Sequence, residues 1–364
     1  MAKIIILANK DVGLYKFRKE LIEELVKENE VFISLPYGDF VPQIKELGCK
    51  LIDTPISRRS VNPIQDFILL MHYKKIIKKI KPDLVLSYTI KPNVYGGMAC
   101  RINNTPYIAN ITGLGTSIEN KGLIQKISLM LYKIGLKKAE CVFFQNESNK
   151  LFFTDNNLVK SRTRLIPGSG VNLEEHVFEE YPIENGPIKL LFIGRTMKAK
   201  GIDELLLAAK KVKEKYSNVE FNLIGRSEED YTHLLRELEA NNIINYHGQQ
   251  NDVHSFIKNS HAIINPSHHE GMSNVLLESA STGRPILASN IPGCRETFDQ
   301  NISGLGFEVR NVDSLVDSII KFIEIPHIEK EKMGIAGRKK VENEFDRNLV
   351  VNAYIDEIKK SIRK

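Results

Sequence analysis

Residues His268–Glu278, HHEGMSNVLLE, are the stretch of this 364-residue chain that says most about its fold and its chemistry. Two carboxylates, Glu270 and Glu278, stand on either side of a turn that opens a helix, and Ser273 and Asn274 are good N-terminal caps. The free N–H groups of a first helical turn, together with the helix dipole, attract an anion. At 1.5 Å per residue the carboxylates are roughly 12 Å apart. The stretch therefore predicts a site for a ligand with hydroxyls at both ends and negative charge between them, as in a nucleotide sugar.

Length and composition indicate a soluble globular protein of two domains. A chain of 364 residues exceeds one ordinary core, and 42% hydrophobic with 26% charged residues is typical of soluble proteins. No apolar run approaches the 18 residues of a membrane-spanning helix, and the run at Ile4–Leu7 is too short for a signal peptide. The four cysteines lack metal or redox spacing, which predicts reduced thiols within a core.

Charge is distributed unevenly along the chain. The net charge is +6, but residues 1–164 carry +11 and the remainder carries −5. The first half is therefore expected to face something anionic.

Alternating apolar runs and helical patterns predict a doubly wound parallel sheet in each half of the chain. The predicted strands of the first half are Lys3–Ala8, Val31–Leu35, Leu84–Ser87, Tyr107–Ile111 and Cys141–Phe144. Those of the second half are Ile188–Ile193, Phe221–Ile224, Ile243–Tyr246, Ala262–Asn265 and Ile286–Ala288. Residues 179–187, polar and with two prolines, predict a linker near residue 182. The predicted domains are 1–182, completed by a C-terminal helix at 346–364, and 186–345. Ligands of such sheets bind at the carboxyl ends of the strands, so the two sheets are expected to enclose one cleft.

Cations and glycines follow the first strand of each predicted domain. Gly194, Arg195 and Lys200 come after the strand at Ile188–Ile193, and Arg with Lys is a suitable pair for a diphosphate. A solvated basic loop is the alternative. Gly13 follows the first strand of the chain, where a glycine in a strand–helix turn allows close approach of a phosphate or sugar, unless the turn is a plain one.

Several other site classes are disfavoured. His268 and His269 have no third ligand at metal spacing, so we expect no metal and place one of the two beside the sugar. The chain has no Gly-x-Gly-x-x-Gly fingerprint, no Walker loop and no Gly-x-Ser-x-Gly elbow. A dinucleotide oxidoreductase, a P-loop kinase and a serine hydrolase are therefore not favoured.

Two helical patterns in the basic half combine apolar faces with lysines. One, residues 63–81, carries Lys74, Lys75, Lys78 and Lys79; the other, residues 121–138, begins at Lys121. Interfacial membrane helices have this composition, and so do helices that cover a sheet and turn a solvated lysine face outward. The location of both in the basic half favours contact with an anionic membrane surface.

Together these residues resemble retaining glycosyltransferase family 4, which has the GT-B fold. The resemblance rests on Glu270 and Glu278 with seven residues between them and on Gly194, Arg195 and Lys200 upstream. The segments NITGLG at 110–115 and IPGSGVN at 166–172 are similar to the capsular and O-antigen polysaccharide branch.

The resemblance implies a role for each matching residue. Arg195 and Lys200 would neutralise the departing diphosphate, Glu270 would hold donor-sugar hydroxyls, and Glu278 would accept from the ribose. The other implied donor contacts are Gly13, Gly194, His269, Gly271, Met272, Ser273 and Asn274. On the acceptor side, Thr112 and Gly113 lie in the matching loop, and Lys74 and Lys78 are expected from the lysine-rich helical pattern of residues 63–81. Many members have a histidine in the loop where this chain reads Thr112-Gly113-Leu114-Gly115, so the sugar identity stays open.

The resemblance also implies an activity. This would be metal-independent transfer of a sugar, such as an N-acetylhexosamine (GalNAc or GlcNAc), from a UDP-sugar to an undecaprenyl-diphosphate-linked saccharide, with retention of configuration and without any cofactor. The enzyme would be peripheral on the cytoplasmic face of a bacterial plasma membrane, with no nucleic-acid partner. A GT-B-fold epimerase that acts on the UDP-sugar without an acceptor is the alternative.

Overall fold

A computed structural model describes residues 1–56, 62–113 and 122–362. The chain divides into two compact units, each with its own parallel sheet. Unit 1 consists of residues 1–169 together with the segment from Arg347 onward, and unit 2 consists of residues 170–346.

Unit 1 contains seven parallel strands in the order β3-β2-β1-β4-β5-β6-β7. Their bounds are β1 Lys3–Leu7, β2 Glu30–Leu35, β3 Lys50–Asp53, β4 Leu84–Tyr88, β5 Tyr107–Ile111, β6 Cys141–Phe144 and β7 Arg162–Leu165. The strand order reverses between β1 and β4, which places the switch point of this sheet there.

Helices cover both faces of the unit 1 sheet. Their bounds are α1 Asp11–Glu28, α2 Val41–Glu46, α3 Pro63–Ile80, α4 Gly97–Ile102, α5 Leu123–Gly135, α6 Glu147–Asp155 and α13 Arg347–Ile362. Ile4 and Ile6 face a core formed with α1, α2 and α13, whereas Ile5 and Leu7 face a core formed with α3, α4, α5 and α6. The alternation explains why β1 is apolar throughout: both of its faces are buried.

Unit 2 contains six parallel strands in the order β10-β9-β8-β11-β12-β13. Their bounds are β8 Ile188–Ile193, β9 Val219–Ile224, β10 Asn245–Tyr246, β11 Ala262–Asn265, β12 Ile286–Ser289 and β13 Gly304–Phe307. The helices are α7 Ile202–Lys215, α8 Thr232–Ala240, α9 Val253–Lys258, α10 Asn274–Ser281, α11 Val312–Glu324 and α12 His327–Glu344. The switch point of this sheet lies between β8 and β11.

The boundary between the units lies earlier than the linker expected near residue 182. Unit 2 begins at Gly170 because residues 171–181 pack on it. The Val171 N–H donates to the Phe345 carbonyl at 2.8 Å, and the Tyr181 hydroxyl donates to the His261 carbonyl at 2.9 Å. The polar, proline-containing segment is therefore part of unit 2. The return to unit 1 occurs at Arg347, one residue from the predicted 346.

A fully buried guanidinium fixes this segment to unit 2. Arg284 has no exposed surface, and its nitrogens donate to six backbone carbonyls between 2.8 and 3.2 Å. The six carbonyls belong to Glu179, Glu180, Ile257, Lys258, Thr282 and Gly283. One side chain therefore joins residues 179–180, the end of α9 and the end of α10.

Burial of His261 makes the stability of unit 2 depend on pH. His261 is 3% exposed, and this burial lowers its pKa to about 4. The nearby Glu184 carboxylate acts in the opposite direction, but burial has the larger effect on the pKa. The His261 Nδ1 accepts from the Lys189 N–H at 3.0 Å, a bond that protonation of Nδ1 would break. Below the unfolded pKa of about 6.5, the unfolded chain binds a proton that the folded chain does not. Stability is therefore lost as the pH falls from about 6.5 towards 4.

We expect this histidine to remove about 2 kcal/mol of unfolding free energy between pH 7 and pH 5. The measurement is urea denaturation, followed by circular dichroism, of the parent and of His261→Gln at both pH values. The glutamine keeps an acceptor for Lys189 but does not titrate, so its pH dependence should be smaller by that amount. His233→Gln, at an exposed histidine of α8, is the matched control and should behave as the parent. Equal pH dependence in parent and His261→Gln would contradict the prediction.

Candidate functional site

The predicted site of unit 2 lies at the carboxyl edge of its sheet, where β8 and β11 are neighbours. Gly194 and Arg195 directly follow β8, and the stretch His268–Glu278 follows β11. Ligands of parallel sheets bind at this edge and at the point where the strand order reverses. The topology therefore brings together two segments that are more than 70 residues apart in sequence.

Lys200 and Glu270 form an ion pair at this edge. The Lys200 Nζ donates to Glu270 Oε1 at 2.5 Å, and both side chains are largely buried. The turn that carries Lys200 is fixed to the other segment, because the His268 N–H donates to the Ala199 carbonyl at 3.1 Å. Gly201 permits this contact: its φ is +69°, and a Cβ there would lie 2.1 Å from the Pro266 carbonyl oxygen. Sequence reasoning selected both charged residues but did not predict that they are paired.

Arg195 lies beside a second arginine that sequence reasoning missed. Arg195 and Arg226 both contact Glu228 Oε2, at 3.3 and 3.1 Å. Arg226 follows β9 as Arg195 follows β8, and β8 and β9 are adjacent. A signal was present in the sequence, because FIGR at 192–195 is followed by LIGR at 223–226. Two cations therefore lie at the ends of neighbouring strands.

Helix α10 begins at Asn274 without the side-chain cap that was expected. Ser273 occupies the N-cap position, but no side chain there caps a helical N–H. Its hydroxyl instead accepts from Asn265 Nδ2 at 2.8 Å, and its N–H donates to the Gly293 carbonyl at 2.8 Å. The prediction of a serine or asparagine cap was therefore wrong: the Ser273 hydroxyl oxygen accepts from Asn265, at the end of β11, and no side chain caps the helix. A helix start without a side-chain cap retains N–H groups for an anion.

The remaining donor-side residues are arranged around this helix start. Met272 is buried in the core of unit 2, which fixes the backbone of Gly271–Ser273. The Asn274 Oδ1 is buried and has no hydrogen-bond partner among the described residues. Glu278 lies in the second turn of α10, and its Oε1 is 4.0 Å from His176 Nε2.

The two adjacent histidines have different environments. His268 Nε2 is 3.0 Å from Glu204 Oε1, and the Arg310 Nε–H donates to His268 Nδ1 at 3.4 Å. The ring of His268 is therefore held from both sides. Burial lowers the pKa of His269, and the neighbouring His268 and Arg310 add to this. The lowered pKa favours the neutral form of His269 near pH 7.

The predicted residues of unit 1 lie on different elements. Gly13 is the third residue of α1, which begins at Asp11, so the turn predicted around it is wrong. A Cβ at Gly13 would meet nothing within 4 Å, so local packing does not require glycine there. Thr112 is exposed just after β5, and Gly113 follows it with a φ of +148°. Leu114, Gly115 and Lys121 lie outside the described residues.

Helices α3 and α5 expose large apolar side chains beside their lysines. On α3, which carries Lys74 and Lys78, the faces of Leu69, Tyr73 and Ile77 are buried against the sheet. The exposed apolar side chains of the two helices are Ile64, Phe67, Ile68, Met71, Leu123, Ile124, Ile127 and Met130. One face of α3 therefore covers the sheet, as one of the two sequence interpretations has it, and another face is apolar and exposed. Contact of that second face with a membrane stays a prediction. Exposed apolar side chains on one helix face are candidates for contact with a partner or a membrane.

Two properties of residues 1–56, 62–113 and 122–362 bear on the site. No three histidine, cysteine, aspartate or glutamate side chains in these ranges come together as metal ligands would. No helix in the same ranges has the length and apolarity that crossing a bilayer requires.

Models of known protein families match both units of the chain. The family model described as glycosyl transferase 4-like matches residues 3–146, and glycosyl transferases group 1 matches residues 174–340. The N,N'-diacetylbacillosaminyl-diphospho-undecaprenol alpha-1,3-N-acetylgalactosaminyltransferase of Campylobacter jejuni is 26% identical over 97% of both chains. The UDP-Gal:alpha-D-GlcNAc-diphosphoundecaprenol alpha-1,3-galactosyltransferase of Escherichia coli is 24% identical over 73% of both.

A solved structure gives the fold. Anabaena Alr3699/HepE in complex with UDP and glucose is 16% identical and superposes with a TM-score of 0.79 over 99% of this chain and 100% of that one. Together with the two parallel sheets, this likeness confirms the predicted GT-B fold.

Proposed function

The chain belongs to the glycosyltransferases, with a 4-like domain followed by a group 1 domain, and from that premise we propose that it transfers a sugar from a UDP-sugar to an undecaprenyl-diphosphate-linked saccharide. The observation that carries the proposal is the Lys200–Glu270 pair at the switch point of unit 2. A cation and a carboxylate in contact, next to a helix start without a side-chain cap, suit a ligand in which a diphosphate joins a sugar.

The donor would be held along the edge of the unit 2 sheet. Lys200, Arg195 and the N–H groups of α10 would stabilise the diphosphate, with Arg226 adding a further positive charge. Glu270 would hold sugar hydroxyls and Glu278 the ribose. Positive charge from side chains and a helix terminus makes a metal ion unnecessary for the departing group, so we propose metal-independent transfer.

The transfer would retain the configuration at the sugar. In a front-face reaction the bond from C1 to the diphosphate oxygen breaks, and the acceptor hydroxyl oxygen bonds to C1 on the same face. The acceptor proton passes to the departing phosphate oxygen, so UDP leaves with it. Glu270 would then position the sugar rather than act as a proton-transferring base. Most of the rate acceleration would come from electrostatic stabilisation of the diphosphate and from orientation.

Similarity to the two relatives supports the acceptor class and the sugar. Both are named for transfer onto a diphospho-undecaprenol saccharide, and the one from Campylobacter jejuni is named for an N-acetylgalactosaminyl group. We accordingly propose an N-acetylhexosamine donor, in the synthesis of a bacterial surface glycan at the cytoplasmic face of the plasma membrane. Thr112 and Gly113, in the loop after β5, would contact the substrates where other members have a histidine.

A panel of UDP-sugars against polyprenyl-diphosphate acceptors tests the proposal directly. Mass spectrometry of the lipid product should show addition of one sugar, and NMR of its anomeric proton should show an α linkage. Product from an N-acetylhexosamine donor, in the presence of EDTA, is the expected result. UDP-sugar conversion without acceptor would favour the epimerase, and a β linkage would contradict retention.

We also propose that α3 and α5 contact the membrane through their exposed apolar side chains. Replacing Phe67 and Leu123 by serine should weaken binding to vesicles of anionic lipid by about tenfold for each side chain, since partial burial of such groups in lipid contributes about 1–2 kcal/mol. The measurement is co-sedimentation with phosphatidylglycerol vesicles over a range of lipid concentrations.

The matched control replaces two apolar side chains of unit 2, Ile183 and Leu207, which are also more than half exposed. This variant should bind vesicles as the parent does. A second variant with Lys74, Lys75, Lys78 and Lys79 changed to glutamine should lose most of the salt-dependent part of binding. Equal vesicle binding by the Phe67/Leu123 variant and the parent would contradict the proposed contact.

A further inference from the structure

A pocket of about 360 Å³ lies in unit 1 on the side of the sheet covered by α4, α5 and α6. Its volume is at the lower end of those of small-ligand sites. The proposed sugar transfer assigns this pocket no role. It is lined by Arg101, Lys133, Ile134, Lys137, Asn157, Leu158 and Lys160.

Close packing of two helices forms one wall of this pocket. A Cβ on Gly135 would lie 2.6 Å from the Val94 Cα, and one on Gly97 would lie 2.1 Å from the Gly135 carbonyl oxygen. The segment 94–97 and the end of α5 therefore touch through their backbones. One turn further along α4, Arg101 donates to the Ile134 carbonyl at 2.6 Å, which holds its guanidinium at the pocket. The segment after α6, with Leu158 and Lys160, forms another side.

The pocket is strongly positive. Four of the seven described residues that line it are cationic, and none of the seven is acidic. Lys133, Lys137 and Lys160 are exposed and have no ion-pair partner among the described residues. Four cations around one opening repel one another unless an anion lies between them.

The pocket is continuous with the exposed apolar surface of α5. Ile127, Met130 and Ile134 follow one another at i, i+3 and i+7, which places them on one face of the helix. Ile127 and Met130 are exposed, and Ile134 lines the pocket. The apolar stripe, Ile127, Met130 and Ile134, therefore ends at the four cationic side chains of the pocket. This arrangement is complementary to a ligand that has a hydrocarbon part and an anionic head group.

We propose that this pocket binds the phosphate of an anionic membrane phospholipid, with its cations around the phosphate and the α5 stripe against the adjoining acyl chain. The proposal deepens the proposed membrane contact of unit 1, and it names the lipid group that the contact would recognise. Arg101 is held by a backbone carbonyl and would present a fixed guanidinium, while the three lysines close around the head group.

The experiment titrates the full chain with dihexanoyl phosphatidylglycerol below its micelle concentration, by calorimetry, without vesicles, donor or acceptor. The variant changes Lys133, Lys137 and Lys160 to glutamine and retains Arg101 because its guanidinium supports α5. A surface lysine contributes about fivefold to the binding of anionic lipid, so the triple variant should bind on the order of a hundredfold more weakly.

A matched control carries the same loss of charge on the other face of the unit 1 sheet. Lys16, Lys45 and Lys359 are exposed residues of α1, α2 and α13, so their change to glutamine should alter the affinity by about twofold or less. Circular dichroism of both variants establishes that each is folded. Because the titration needs neither sugar transfer nor a bilayer, its result is independent of the donor panel and of the vesicle measurement.

Three outcomes would overturn the proposal. Equal loss in the two triple variants would mean that overall charge, and not the pocket, attracts the lipid. Equal affinity for dihexanoyl phosphatidylcholine would mean that the anionic charge is not recognised. Inorganic phosphate binding as tightly as the short-chain lipid would assign the pocket to a soluble anion.

Discussion

Replacing Lys200 by alanine is expected to lower kcat/KM for sugar transfer by about 10²–10³-fold while the protein stays folded. Lys200 is the cation that the backbone places against Glu270, and its removal leaves the departing diphosphate with one fewer positive partner. The affinity for UDP alone should fall as well, by about tenfold, because a charge-assisted hydrogen bond is lost. Initial rates with saturating acceptor, together with calorimetric titration of UDP, provide both numbers.

Glu270→Gln separates the roles of the two partners. It should lower kcat/KM by about 10²-fold, since the sugar loses a charged acceptor. UDP has no sugar, so its affinity for this variant should equal or exceed that of the parent, because Lys200 is released from its ion pair. A decrease in UDP affinity with Glu270→Gln would contradict the assignment of Glu270 to the sugar.

Lys198→Ala is the matched control for Lys200→Ala. Lys198 lies in the same short turn, two residues away, and its side chain is exposed. The control should keep kcat/KM within about twofold of the parent, since an exposed charge is largely screened. Activity of Lys200→Ala within tenfold of the parent would remove Lys200 from the proposed mechanism.

Replacing Arg284 by methionine is expected to reduce the unfolding free energy of unit 2 by at least about 4 kcal/mol. Methionine fills much of the space but donates no hydrogen bond, so carbonyls of three separate segments lose a donor in a buried environment. Each buried polar group left unpaired costs about 1–3 kcal/mol. Urea denaturation followed by circular dichroism measures the change.

Two variants make the Arg284 result specific. Arg284→Lys keeps the charge with three donors in place of the guanidinium fork, so its loss of stability should be intermediate. Arg236→Met, at an exposed position of α8, should change stability by less than about 0.5 kcal/mol. A loss below about 1 kcal/mol for Arg284→Met would show that the six hydrogen bonds contribute little to the stability of unit 2.

The central strands of both sheets were predictable because both of their faces are buried. Tyr107–Ile111, Cys141–Phe144 and Ile188–Ile193 have the predicted bounds. The strands that the sequence did not reveal lack a continuous apolar run. Lys50–Asp53 and Arg162–Leu165 are edge strands of unit 1 with exposed or half-exposed side chains. Gly304–Phe307 contains two glycines, which have no side chain to form a pattern.

The residues of the predicted site also include some that the sequence identifies and some that it does not. Charged residues at fixed spacing, such as Lys200 and Glu270, can be recognised because their chemistry is distinctive. The residues that position the helix start beside them cannot be recognised so easily: Asn265 and Gly293 act on Ser273 through hydrogen bonds that no local sequence pattern predicts. Local rules assign Ser273 to helix capping, and only the tertiary structure shows that Asn265 engages its hydroxyl. Arg226 was overlooked although the repeated Ile-Gly-Arg indicated it.

Unit 1 can complete its core only after helix α13, at the end of the chain, has been synthesised. Its residues Val350, Tyr354 and Ile358 belong to the core of unit 1, yet residues 170–346 leave the ribosome before them. At about 5–20 residues per second, roughly ten seconds to half a minute pass between the two parts of unit 1. During that interval part of an apolar face of its sheet has no cover. Slower translation of unit 2 lengthens this exposure, so we expect the yield of folded protein to depend on the elongation rate as well as on the final stability.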